Sequence, residues 1–82
     1  MSASYNSLKL RALAIFADRG WLSPPAWAVL ARFYPVRAAY SYLKHLWRWK
    51  LLDRMLDQRG LLLYRLNQRG AERLAWLRRM IK

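Results

Sequence analysis

The sequence has no cysteine, one histidine, three glycines, three prolines and four acidic residues in 82 positions. Without cysteine there is no disulfide staple. Without a Cys/His cluster there is no structural zinc site, so any fold must rest on a packed core. A reducing compartment is compatible with that composition. The four acids, Asp18, Asp53, Asp57 and Glu72, are scattered, the one histidine is His45, and no glycine-rich phosphate loop occurs. General acid–base pairs, nucleophile–base pairs and nucleotide cradles are therefore missing, which argues against an enzyme and against any cofactor or metal. Long apolar runs are lacking too. Ala12 to Ala17 and Leu61 to Tyr64 fall far short of the roughly 18 to 20 residues of a membrane span. The first residues, MSASYNSLKLR, lack the charged start and apolar core of a signal peptide. The expectation is a cytoplasmic protein with no membrane partner.

What is present is a large apolar fraction and a strong positive charge. Hydrophobic residues make up 56% of the chain, with five Trp and five Tyr, enough for a packed core and too much for a disordered tail. A chain this short holds one core, so residues 1–82 are expected to form a single domain. Sixteen Lys and Arg, most of them Arg, oppose the four acids, giving a formal charge of +12 and a pI near 11.4. Such self-repulsion points to an anionic partner. The basic residues are spread along the chain rather than gathered in a tail. Arg favours forked contacts to phosphate and guanine, so double-stranded DNA is the leading candidate.

Taken in order, Met1 to Asn6 has little pattern and reads as a frayed or partner-bound terminus. Leu8, Leu10, Leu13, Ile15, Phe16 and Ala17 fit a helix over about 7–19, capped by Ser7 and ended by Gly20. Trp21-Leu22 is an apolar pair suited to a stub strand beside a sheet edge. Ser23-Pro24-Pro25 starts a second helix over about 24–33, burying Trp27, Leu30 and Ala31 or Phe33. Phe33-Tyr34-Pro35 is a turn, because the residue before proline is pushed out of helical geometry. A helix over about 36–49 follows. Then Leu51 to Leu56 and Leu61 to Leu66 read as a hairpin over about 51–66 with Gly60 in its turn. A two-residue loop at Arg59-Gly60 would place Arg54 opposite Arg65 and Met55 opposite Tyr64, two like charges facing each other, but the sequence pattern leaves the register open. Asn67 caps a last helix over about 68–81, with Ala71, Leu74, Leu77 and Ile81 on one face.

The 36–49 helix has the clearest two-sidedness. At 100° per residue, Val36, Ala39, Tyr40, Leu46 and Trp47 lie within about 60° of Leu43 and form a core stripe. The opposite arc carries Arg37, Ala38, Ser41, His45 and Arg48, with Lys44 and Tyr42 on its shoulders and no acid. A short turn between two helices, the second with a cationic outer face, is the arrangement that enters a major groove.

The order helix, stub, helix, helix, hairpin, helix resembles the winged helix-turn-helix domain of MarR- and PadR-type transcription regulators. The stretch YLKHLWRWKLLDRMLDQRGLLLYRLNQRGAERL carries the resemblance: Leu46, Leu51 and Leu52, then Arg59-Gly60, then Tyr64-Arg65-Leu66-Asn67-Gln68-Arg69-Gly70. The likeness covers roughly Ser7 to Leu77. It implies a mainly α fold with a small β-hairpin (α+β), built as a three-helix core plus a wing and a C-terminal helix. It further implies a small DNA-binding regulator, with Arg37, Ala38, Ser41, Tyr42, Lys44, His45 and Arg48 in or beside the major groove. Arg54, Arg59 and Arg65 of the wing would meet phosphates or the minor groove. One departure is Lys50, where glycine commonly ends the recognition helix. That suggests a less sharp exit or a lysine held near phosphate. Within 82 residues there is no room for a separate ligand-binding domain or long flanking helices, so no small-molecule effector is expected.

Among the tryptophans, Trp21, Trp27 and Trp47 are expected in the core, whereas Trp49 and Trp76 fall off the buried stripes. Trp76, with Met80, is a candidate dimer contact between first and last helices, which would make the protein a homodimer on a palindromic site. Other readings of the same features are a winged-helix adaptor that binds an acidic protein, and a nonspecific DNA- or RNA-binding protein.

Overall fold

The computed structural model describes residues 2–80, with side chains from Asn6 onward. Its elements are α1 (Ser2–Arg19), α2 (Pro24–Ala31), α3 (Val36–Arg48), β1 (Leu52–Leu56), β2 (Leu62–Leu66) and α4 (Gln68–Met80). Helix α1 begins five residues earlier than the expected start at Ser7. No proline or glycine interrupts Ser2 to Asn6, so a nucleated helix extends through them at little cost. Ser7 is then an exposed interior position, not a cap. The expected end of α4 at Ile81 lies outside the described residues.

All four helices and the hairpin contribute to one core. Ala12, Leu13 and Phe16 come from α1, Trp27, Ala28 and Ala31 from α2, and Ala39, Leu43 and Leu46 from α3. They meet Leu51, Leu52 and Tyr64 of the hairpin and Leu74 and Leu77 of α4. Trp27 is central and fully buried, and its indole Nε1 donates to the Ala12 carbonyl at 3.3 Å, satisfying the one polar atom of the ring. Phe16, Phe33 and Tyr42 pack around it with ring centroids 5.2–6.3 Å away.

Several expected placements change because the neighbours of a helix, not its wheel alone, decide burial. Helix α2 buries Pro24, Trp27, Ala28 and Ala31, leaving Leu30 exposed, since the eight-residue helix meets its partners along the Trp27 side. On α3 the two tyrosines exchange roles. Tyr40, expected in the core stripe, is exposed, while Tyr42, expected on the outer shoulder, joins the cluster of Trp27 and Phe33. Trp47 is only partly buried against the core, and Trp21 stands at its edge, 36% exposed.

The helix ends are closed by local chemistry. The Ser23 hydroxyl accepts from the Ala26 amide at 3.3 Å, ahead of the two prolines of the first turn. Gly20 is left-handed at φ +79° and its amide returns to the Phe16 carbonyl. Both helices of the central pair end in the same way. Arg32 and Lys50 take left-handed φ values of 54° and 65°, where glycine is the usual occupant. At the α3 end the Lys50 amide donates to the Trp47 carbonyl at 2.9 Å and the Leu51 amide to the Leu46 carbonyl at 3.0 Å. That paired closure makes the exit sharp. The expectation of a gentler exit at Lys50 is corrected: the lysine adopts the glycine conformation instead of avoiding it.

The hairpin pairs Leu52 with Leu66, Asp53 with Arg65, Arg54 with Tyr64, Met55 with Leu63 and Leu56 with Leu62. This is one residue away from the register expected from a two-residue loop. Asp57 is the reason. Its backbone pairs with Leu61 while its Oδ1 accepts from the amides of Arg59 and Leu61, both at 2.8 Å, closing a three-residue loop with Gly60 left-handed. The expected Arg54/Arg65 repulsion therefore does not arise. Arg65 instead reaches Asp53 at 3.3 Å. The stub strand is present as a bridge, Leu22 pairing antiparallel with Tyr64 through bonds of 2.8 and 2.9 Å.

Asn67 ties the hairpin to α4 and to α3. Its Oδ1 accepts from the Gly70 amide at 2.7 Å, capping α4, while its Nδ2 donates to the Lys50 carbonyl at 3.0 Å and its own amide to the Leu51 carbonyl at 3.3 Å. Gly70 allows this closeness, because a Cβ there would overlap the Leu51 carbonyl oxygen.

Candidate nucleic-acid interface

Helix α3 holds the core through Ala39, Leu43 and Leu46 and turns Arg37, Ser41, Lys44, His45 and Arg48 to the solvent. Ala38 is half-buried between them. No acid occurs anywhere in the helix, so nothing on it offsets the cations. Tyr42 leaves this face, its ring being taken up by the core.

Arg54 on β1 completes the face. Cross-strand partners share a face of the hairpin, so Arg54 lies on the side of Tyr64, toward α3. Its guanidinium lies 3.5 Å from the centre of the Trp47 ring, a cation–π contact that holds the charge in place. Ser41, Lys44 and Arg54 together line a cleft of about 310 Å³, with Tyr40, Leu62 and Tyr64 as its other walls. Tyr40 was not anticipated there. Its exposure follows from the same rotation that buries Tyr42.

The wing arginines, grouped by the sequence, are separated by the structure. Arg59 is exposed at the wing tip. Arg65 is on the opposite face from Arg54, beside Asp53 and with its guanidinium 4.7 Å from the centre of the Trp21 ring. The other cations converge elsewhere. Arg48 and Lys50, at the end of α3, meet Lys9 of α1 and Arg69 and Arg73 of α4 around an open cleft of about 620 Å³ walled by Trp49 and Leu51. Lys9 sits 4.5 Å from the centre of the Trp49 ring. Burial first, and then the Arg73 charge, pushes the Lys9 ammonium below its ordinary pKa. Lys9, Arg69 and Arg73 were not singled out from the sequence. The one-turn spacing of Arg69 and Arg73 was a visible signal, but their meeting with Lys9 depends on how α1 packs on α4.

Solved structures share this fold. A MepR-like protein crystallised with pseudoligands superposes with a TM-score of 0.81 over 92% of this chain, at 17% identity. This chain is a winged helix-turn-helix. RV1404 from Mycobacterium tuberculosis aligns over 89% of it with a TM-score of 0.75 and 24% identity. The winged helix spans about half the length of each of these chains, 54% and 52%. No protein-family model and no curated protein matches the sequence. In the winged-helix frame α2 and α3 are the helix-turn-helix pair, the β1–β2 hairpin is the wing, and Leu22 supplies a one-residue strand beside it.

Proposed function

We propose that residues 1–82 form one winged-helix domain that binds double-stranded DNA as a small cytoplasmic transcription regulator, with α3 in the major groove and the wing on the backbone or minor groove. The observation that carries this reading is the acid-free outer face of α3 continued by Arg54, with Ser41, Lys44 and Arg54 lining one cleft. Arg37, His45 and Arg48 extend the face along the helix. Ala38 provides a small surface for close approach or a thymine methyl. Arg59 reaches phosphates or the minor groove from the wing tip, and Lys50 meets phosphate at the helix exit. Arg65 is a weaker contributor than Arg54, since Asp53 already neutralises part of its charge. Trp76 and Met80 are exposed on α4 and are available for a two-fold contact. A homodimer built there would present two recognition helices to a palindromic site.

The test is duplex binding across a salt series. Each lost phosphate contact lowers the log–log salt slope by about 0.9, so Lys44→Ala and Arg54→Ala are each expected to weaken binding and flatten the slope. Unchanged affinity in both variants would reject the assigned face. Selection of bound duplexes from a random pool reads specificity and symmetry: a palindrome supports the dimer, and no enrichment means sequence-independent binding.

A further inference from the structure

The cleft at the end of α3 has a composition unlike that of an ordinary small-molecule pocket. Such pockets are mostly apolar with a few polar groups. This one is lined by Lys9, Arg48, Lys50, Arg69 and Arg73, with Trp49 and Leu51 as its apolar part and no carboxylate among its lining residues. The five cations come from α1, the α3 exit and α4, so the tertiary fold, not a run of sequence, gathers them. Holding like charges together costs electrostatic energy; the Lys9 ammonium is pushed down first by burial and then by the Arg73 charge. A ligand that relieves it must carry several negative charges in a compact space. A single carboxylate cannot serve five cations spread around a cavity of about 620 Å³. A short chain of phosphates can, and its oxygens suit the forked donors of arginine.

We propose that this cleft binds a compact, multiply charged phosphate ligand, either an inorganic polyphosphate or the phosphate chain of a nucleoside polyphosphate. Because Arg48 and Lys50 belong to both surfaces, the bound phosphate chain competes with duplex DNA for them. The competition rests on the DNA-binding reading above. The binding itself does not. Thus the winged helix itself has a place for an effector at the root of α3.

The experiment is titration calorimetry of the protein with tripolyphosphate and, separately, with ATP in the absence of divalent cations, near 0.15 M salt. Lys9→Met/Arg73→Gln removes two charges from the cleft without touching the α3 face or the wing. It is expected to lower tripolyphosphate affinity about tenfold or more. Arg69→Gln/Arg73→Gln, at exposed α4 positions, is a second pair that should do the same. Arg54→Gln/Arg59→Gln removes the same charge from the wing and should change that affinity by less than about threefold. Equal losses in the cleft and wing variants, or no tripolyphosphate binding at millimolar concentration, overturn the site. Tighter binding of ATP than of tripolyphosphate assigns the nucleotide, and equal or weaker binding assigns the inorganic chain. If tripolyphosphate binds the cleft yet does not displace duplex from the wild type, the competition is wrong and the site stands.

Discussion

Replacing the left-handed lysine at the α3 exit is expected to move stability and duplex binding in opposite directions. Lys50 has φ 65°, and a side chain in that region costs roughly 1–2 kcal/mol. Glycine removes the strain but loses about 0.5–1 kcal/mol of extra freedom on folding. Lys50→Gly is therefore expected to stabilise the fold by about 0.5–1 kcal/mol, or about 3–6 °C in Tm for a domain of this size. The tie from Asn67 is to the backbone carbonyl and survives the change. Removing a charge from the crowded cleft also helps, so Lys50→Ala is the control: it removes the charge and keeps the strain. Glycine should exceed alanine by about 0.5–1 kcal/mol in paired thermal and urea melts. Arg32→Gly, at φ 54°, should gain similarly. In the same preparations Lys50→Gly is expected to bind duplex more weakly, with a salt slope lower by about 0.9. A Tm equal to or below that of Lys50→Ala would refute the strain argument, and tighter duplex binding would refute the phosphate contact.

Two further predictions concern packing and charge. Gly70→Ala would ordinarily favour a helix, but its Cβ meets the Leu51 carbonyl and approaches the Leu66 Cδ1 to 2.6 Å, so a net loss of about 1–3 kcal/mol is expected in urea unfolding; a stabilised variant would contradict the close approach. Lys9 has its folded pKa below the ordinary 10.5, so the folded state carries the charge penalty at neutral pH and sheds the proton before the unfolded chain does as pH rises. Lys9→Met should thus unfold at a higher temperature than wild type at pH 7, by a margin that shrinks as pH approaches 10.5, and a margin that grows with pH would count against that assignment.

The sequence was most legible where one residue closes a structure by itself. Ser23, Gly20, Gly60 and Asn67 each act as their chemistry suggested, and the Leu22 bridge follows from an apolar pair between two helices. It was least legible where a distant side chain decides. The wing register turned on the Asp57 carboxylate, which lengthened the loop by one residue and converted an arginine pair into an Asp53–Arg65 contact. Tyr40 and Tyr42 are two positions apart, and only the place of Trp27 and Phe33 decides which of them is buried. Trp49, left without a role by the helical wheel, gains one from Lys9, forty residues earlier in the chain. Of the candidate DNA-binding residues, Ser41 and Lys44 share a cleft with Arg54, whereas Arg48 and Lys50 line the one at the end of α3. Arg65 lines neither.

Asn67 has a mechanical consequence. With its side chain on the Lys50 carbonyl and the Gly70 amide, and its own amide on the Leu51 carbonyl, it fastens three pieces of chain within one residue's reach. The end of α3, the foot of the wing and the start of α4 are one joint with no slack. Between the start of α4 and the end of α3 there is a direct hydrogen-bonded path through one side chain, with no free linker in it. The angle between α3 and α4 is thus held where the two helices come nearest in the chain, by a residue that belongs to neither.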